Sequence, residues 1–315
     1  MIGIILAGGF ATRMKPLTYS KPLLPIGDKP CIGHVCDKLS EIKEIDKIYI
    51  TTSSLFEKDY RSFLASFRLD KRFELFIEPA KSETEKLGAL RAILYLIDKE
   101  QITEDILICA GDNYFDFSIK ELVSAYNKSN SLTVGLYDLK DTEKVRLYSE
   151  ILLKDNYITH FEEKPENPKS TLVSMAHYIY PKKSIPLLRE AVDNGYVDSP
   201  GKFIEFAVRG GHSVYGKIMD GAWIDIGDRI SYLEANSLML GGKSFIAENC
   251  EIDGKCEIGN NVVIGKNCEI TSSHISNSVI LPNSTIKAST ILNSVVGANS
   301  KISSKTIKEK ICEVH

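Results

Sequence analysis

The chain of 315 residues has a single tryptophan and no apolar stretch long enough to span a membrane. Its N-terminus has neither a basic start nor a cleavage pattern ahead of the first apolar run, so a soluble, cytoplasmic protein is expected. Charge bias is missing too. With 39 basic against 42 acidic residues and no basic run or stripe, there is no electrostatic case for nucleic acid or membrane partners. Small charged substrates remain open. The cysteines (Cys31, Cys36, Cys109, Cys250, Cys256, Cys268 and Cys312) are odd in number, sit inside apolar patterns and never take zinc-site spacing. Reduced thiols suit that pattern better than a disulfide framework. A hydrophobic share of 43% gives a length of one to three domains ample core.

What is present begins at once. Ile2, Ile4, Ile5 and Leu6 form a short apolar run of the kind that becomes a buried parallel strand, and Ala7, Gly8 and Gly9 end it. Residues with so little side chain let backbone N–H groups approach an anion, and Arg13 can fold a planar fork of donors over it. The spacing is neither a P-loop, which ends in Gly-Lys-Ser/Thr, nor a dinucleotide fingerprint, which needs a third glycine. Gly8-Gly9 alone fits a tight turn beside solvated cations equally well.

Further on, apolar runs at 47–51, 73–77 and 105–110 alternate with helical periodicity at 30–42, 60–67 and 86–97, as in a doubly wound parallel sheet with its ligand at the carboxyl ends of the strands. Runs at 131–137, 148–153, 157–162 and 172–180 have short polar connections and an antiparallel character. Asp112 stands at a strand end, where an acid either caps the next turn or faces the cleft.

Leu6 to Thr18, followed by Ser20-Lys21-Pro22-Leu23-Leu24-Pro25, resembles the signature of the sugar-1-phosphate nucleotidylyltransferases, and Gly111 to Phe117 and Glu163 to Val173 look closest to its glucose-1-phosphate thymidylyltransferase branch. Ala11, Met14 and Ser20 depart from the usual glycine, leucine and proline. The resemblance implies nucleotidyl transfer from a nucleoside triphosphate, dTTP or UTP, to a hexose-1-phosphate such as glucose-1-phosphate. The alternatives are a mannose-1-phosphate guanylyltransferase and a regulatory subunit that binds nucleotide sugar without catalysis.

The same resemblance assigns roles. Leu6, Ala7, Gly8, Gly9 and Thr12 line the nucleotide, with Arg13 on the pyrophosphate portion and Lys21 on the triphosphate and leaving group. Gly111-Asp112-Asn113 and Trp223-Ile224-Asp225-Ile226-Gly227 match motifs whose aspartates hold Mg²⁺. Glu163-Lys164-Pro165 matches the motif in which the acid takes sugar hydroxyls and the lysine the sugar phosphate, and Tyr148 and Tyr178 flank the sugar. Ser149 and Ala176 stand where relatives commonly have glycine and are expected to crowd it. The stretch 82–89 resembles the base-reading segment, with Glu83 or Glu85 accepting from a base N–H and Gly88 permitting close approach. Without a ligand, the same stretch reads as an acidic helix N-terminus.

From residue 242 the pattern changes: Ile246, Ile252, Ile258, Ile264 and Ile270 recur every six residues, and a pattern at 275–286 is echoed at 291–302. These are the hexapeptide repeats of a short left-handed parallel β-helix. Cys250, Cys256 and Cys268 read as core, as does His274, which falls at the same repeat position. Val279, Leu281, Leu292 and Val295 are expected on a flat face open to a partner, making a homo-oligomer through the β-helix. The expected organisation is a Rossmann-like nucleotidyltransferase domain with a mixed sheet over 1–241, the β-helix over 242–304 and a polar tail over 305–315.

Overall fold

The structure, a computed structural model, describes residues 1–9, 12–67, 72–79 and 87–314. By its internal contacts the chain forms two compact units. The first comprises Met1–Gly8, Val35–Gly111 and Phe115–Trp223; the second comprises Gly9–His34, Asp112–Tyr114 and Ile224–His315. Gly9–His34 and Asp112–Tyr114 group with the repeats in the second unit, while Ala7 and Gly8 remain in the first.

In the first unit, nine strands among the described residues make one Rossmann-like mixed sheet. Its spatial order is Arg72–Glu78, Lys47–Ser53, Ile2–Leu6, Ile106–Ala110, Leu172–Tyr180, Leu132–Asp138, Val214–Ile218, Tyr157–Glu163 and Ser149–Lys154. The first four are parallel, Ile2 pairing with both Lys47 and Ile106. Buried between those neighbours, Ile2–Leu6 needs a nearly continuous apolar sequence rather than an alternating one. Leu172–Tyr180 runs antiparallel to both of its neighbours, as the change of character in the sequence indicated. Helices cover the sheet by their apolar stripes: Ala89–Lys99 buries Leu90, Ile93, Leu94 and Ile97 at helical spacing.

The second unit carries the left-handed parallel β-helix, whose coils are built from three parallel ladders. One ladder joins Phe245–Ile246, Val263–Ile264, Val279–Ile280, Val295–Val296 and Ile311–Cys312. Stacking therefore continues past Ser304, and Thr306–Lys308 pairs with Thr290–Leu292 where a polar tail was expected. Ile307 and Cys312 supply the inward apolar residues that sustain those last coils. Corners are turned by asparagines in the left-handed region, such as Asn267 at φ 58° and Asn283 at φ 61°, a conformation asparagine tolerates. Their side chains stack, Asn267 Nδ2 donating to Asn283 Oδ1 at 3.0 Å.

His274 is not core: its ring is partly exposed and lies 3.1 Å from Glu257. Ile275, paired with Ile258, takes the inward slot, so the coil is one residue shorter than a strict repeat and strand alternation turns His274 outward. Ile246, at the open end of the stack, is 46% exposed. Val279, Leu281, Leu292 and Val295 do not form one open face: Leu292 lies half-buried on a different ladder, and the other three are covered. All three are buried in one cluster with Met14, Leu17 and Leu24 and with Tyr232, Leu233 and Ala235 of the helix Arg229–Leu240. That helix starts at a capping box between Asp228 and Ser231 and stops at Gly241, φ 56°.

Candidate functional site

In the second unit the short turns Thr12–Met14 and Lys21–Leu23 place Arg13 and Lys21 beside two acids. Lys21 Nζ lies 2.5 Å from Asp112 Oδ2. Burial pulls the Lys21 ammonium down, but the charges of Asp112 and Asp225 outweigh it, against a smaller push from Arg13, and hold the group above its ordinary value. Asp225 follows the opposite logic. Burial first, and then the charge of Asp112, push its carboxyl up to about 6, although Lys21 and Arg13 both oppose the rise.

The backbone fixes this arrangement: Ile226 N–H donates to the Asp112 carbonyl at 3.1 Å. Gly227 has a steric reason to be glycine, since a Cβ there would lie 2.9 Å from Arg13 Nη2. Met14 and Leu17, fixed in the apolar cluster beneath, anchor the turn that carries Arg13. Arg13, Lys21, Asp112 and Asp225, scattered over more than two hundred positions, thus meet in one unit. A buried carboxylate whose proton affinity is raised by a second acid nearby, with a lysine paired to that second acid, is chemistry that suits a hard divalent cation. Asp112 and Asp225 would hold it.

In the first unit, Ala7 is buried, and its N–H donates to the Thr51 carbonyl at 2.8 Å at the mouth of the parallel strands. A Cβ on Gly8 would lie 3.2 Å from Glu78 Oε1. Glu78 ends the strand Arg72–Glu78, and burial pushes its carboxyl up, with Thr51 opposing. Leu6 ends its own strand, half-buried, and Gly9 is open to solvent. The Thr12 side chain, Glu83 and Glu85 lie outside the described residues. Gly88 makes a close approach within the fold: at φ 83°, a Cβ would stand 2.5 Å from the Val197 carbonyl oxygen.

The residues assigned to the sugar also gather in the first unit. Glu163 ends the strand Tyr157–Glu163, and its Oε1 accepts from Ser199 Oγ at 3.0 Å. Burial raises its carboxyl, opposed by Ser199 and then Lys202. Gly201 allows that packing, because a Cβ would overlap the Glu163 carboxylate. Tyr178 is buried, accepts from Ser174 Oγ at 2.9 Å, and is held above its ordinary value by burial and then by the charge of Glu163. The Tyr148 ring packs against Trp223 at 5.4 Å, so Trp223 is a packing residue. Lys164 is exposed and left-handed at φ 49°.

Ser149 and Ala176 have different places in the fold. Ser149 is buried, with its Oγ accepting from Ser174 N–H at 3.1 Å. Ala176 sits at φ 55° where the Leu172–Tyr180 strand slips register, a backbone that favours glycine. Sequence reasoning missed Glu78, Ser199, Gly201 and Gly227. Only Gly227, inside the tryptophan motif, carried any local signal. Glu150, His160 and Glu162 also bring ligand-type atoms within 4.8 Å of one another, but strand alternation puts Glu162 on the other face from Glu163.

The cations and carboxylates gathered in the second unit suit a protein that handles phosphate. Residues 2–241 match the family described as Nucleotidyl transferase, and residues 240–313 match the GMPPB C-terminal domain. The chain belongs to the nucleotidyl transferase family, whose members act on nucleotides and sugar phosphates. A Sulfolobus acidocaldarius protein assigned as a mannose-1-phosphate guanyltransferase is 25% identical over 88% of this chain and 75% of its own length. The Bifunctional protein GlmU of Methanocaldococcus jannaschii is 28% identical over 82% of this chain, which spans only 57% of that relative. Among solved structures, a Bacillus anthracis chain assigned as a glucose-1-phosphate thymidylyltransferase, crystallised with sucrose, superposes with a TM-score of 0.65. It is 28% identical, over 76% of this chain and 95% of its own.

Proposed function

We propose that the protein transfers a nucleotidyl group from a nucleoside triphosphate, dTTP or UTP, to a hexose-1-phosphate, glucose-1-phosphate in the first instance, with release of pyrophosphate. The observation that carries this reading is the assembly of Arg13, Lys21, Asp112 and Asp225 in one unit. An oxygen of the sugar phosphate attacks the α-phosphorus, the bond to the β-phosphate oxygen breaks, and no covalent enzyme intermediate forms. Such a transfer needs in-line positioning and charge neutralisation rather than a nucleophilic side chain.

Arg13 holds the pyrophosphate portion and Lys21 the leaving group, with Leu6, Ala7, Gly8, Gly9 and Thr12 admitting the phosphates. Lys164 binds the attacking phosphate, Glu163 orients sugar hydroxyls, and Tyr148 and Tyr178 bound that pocket. Mg²⁺ on Asp112 and Asp225 would supply charge neutralisation at the phosphates. Glu83 or Glu85 and Gly88 are the base-reading set. Residues 1–241 act as the transferase module and 242–304, with the coils beyond, as a repeat module through which copies associate. A cytoplasmic setting agrees with seven unpaired cysteines, and no helix among the described residues is long and apolar enough to cross a membrane.

A second reading, guanylyl transfer to mannose-1-phosphate, is favoured by the match to the Sulfolobus protein over 88% of the chain. Pyrophosphate release over a panel of triphosphates and sugar-1-phosphates with Mg²⁺ decides between them. The expected result is turnover with dTTP or UTP and glucose-1-phosphate; preference for GTP and mannose-1-phosphate establishes the second reading. Triphosphate binding without turnover on any pair would make the protein a regulatory subunit and overturn both.

A further inference from the structure

Glu150 is a buried acid that the chemistry above does not use. It lies on the strand Ser149–Lys154, directly opposite Glu162, and is 4% exposed. A carboxyl group in that position is costly unless its oxygens find donors, and two acids facing each other across a strand pair add repulsion. An apolar residue would fill the slot more cheaply, as Ile151 does beside it. The donors that Glu150 finds are both main-chain. Its Oε1 accepts from the N–H groups of Lys169 and of Ser170, the latter at 2.7 Å. Its other oxygen faces His160 Nε2 at 3.8 Å, and His160 in turn lies 3.4 Å from Glu162.

Those two N–H groups close the turn that opens with Glu163, Lys164 and Pro165. The same turn is held at its start by Tyr148, whose carbonyl accepts from Lys164 N–H at 2.7 Å. Between the two anchors, Ser149 accepts from Ser174 N–H. Three consecutive residues thus grip three separate stretches of main chain. The grip matters because Lys164 is left-handed at φ 49°, a conformation a lysine keeps only when its surroundings impose it.

We infer that Glu150 is a positioning residue: by clamping 169–170 it holds the turn in the one shape that presents Lys164 to the sugar phosphate. This role rests on the sugar-phosphate reading of Lys164. It differs from a merely structural role in one respect. Loosening the clamp should weaken capture of the sugar phosphate while leaving the triphosphate, which Lys164 does not bind, unaffected.

The test is a pair of variants, Glu150→Ala and Glu150→Gln, followed by steady-state kinetics on both substrates and amide hydrogen exchange at Lys169 and Ser170. Glutamine keeps an oxygen that can accept both N–H groups and so serves as the conservative rescue. Glu150→Ala should raise KM for the sugar-1-phosphate about tenfold, with KM for the triphosphate within about twofold, and Glu150→Gln should restore most of the loss. The two amides should be protected in the wild type and in Glu150→Gln and should exchange freely in Glu150→Ala. If the alanine variant does not fold, the glutamine variant and the wild-type exchange carry the test: unprotected amides in the wild type contradict the clamp. Sugar-phosphate turnover that Glu150→Ala leaves unchanged, or loss shared equally by both substrates, contradicts the positioning role alone. A wild type with protected amides and no turnover of any sugar phosphate contradicts the transferase reading, and this role with it.

Discussion

In the first unit the groups assigned to the sugar are held by hydroxyl and main-chain hydrogen bonds, whereas in the second the groups assigned to phosphate and metal are held by opposed charges backed by a β-helix. Glu163 leans on Ser199, Tyr178 on Ser174 and Lys164 on the Tyr148 carbonyl. Lys21, Asp112 and Asp225 lean mainly on one another, on turns whose Met14, Leu17 and Leu24 share a buried cluster with Val279, Leu281 and Val295. Hydrogen bonds to fixed donors set direction, which suits selection among similar sugars. Opposed charges set potential, which suits a phosphate or a cation arriving from water. The repeats therefore belong to the architecture of the charge cluster as well as to any assembly.

The largest expected effect is on chemistry. Asp112→Asn and Asp225→Asn should each lower turnover by at least about 100-fold, the scale on which preorganised charge-stabilising groups act. Circular dichroism should show the fold intact, and raising Mg²⁺ should recover part of the rate. Wild-type turnover at limiting Mg²⁺ would remove that residue from the metal site.

Next in size is a pair of core truncations, one per unit. Leu281→Ala and Leu188→Ala each empty a fully buried site and should each cost about 2–5 kcal/mol in denaturant melts. At a temperature where both are folded, KM for the triphosphate should rise in Leu281→Ala and stay put in Leu188→Ala. Equal kinetics in the two would dissolve the contrast between the units.

Smaller and opposite in sign are two glycine replacements once expected to act alike. Ala176→Gly relieves a left-handed alanine and should stabilise by about 1 kcal/mol. Ser149→Gly removes the acceptor of the Ser174 N–H and should destabilise by about 1–3 kcal/mol. Thermal melts of both single variants suffice, and shifts of the same sign would refute the assignment.

The gentlest effect is on pH dependence. Burial raises the Glu163 carboxyl, so the fold favours its neutral form, and stability is lost as pH rises through the folded pKa. Glu163→Gln has no such loss. Its melting temperature should exceed the wild type's by a margin that grows as pH rises above the ordinary glutamate value and levels off above the raised one, while sugar-phosphate use falls.

Much of this was readable from the chain, for identifiable reasons. Ile2–Leu6 and Ile106–Ala110 are buried on both sides, so their apolar runs are unbroken. The six-residue isoleucine period announces stacked coils because every coil needs the same inward residue. What stayed hidden depends on partners distant in sequence. Nothing near Leu281 says that it shares a buried cluster with Tyr232 and Leu17, and nothing near Gly227 says that Arg13 needs the space. His274 was misread because a coil one residue short reverses which side chain points inward, and a strict period carries no warning of that.

The claim that the charge cluster and the β-helix form one unit is tested most directly on a chain ending at Leu240, assayed by thermal melting and by pyrophosphate release. Losing the buried face of Val263, Val279, Leu281 and Val295 removes about 1.5–3 kcal/mol for each side chain, a sum comparable to the whole stability of a domain. The predicted result is a protein that melts early or not cooperatively and releases no pyrophosphate at 37 °C. A truncated chain that stays folded and turns over at the wild-type rate would show that the repeats serve association alone.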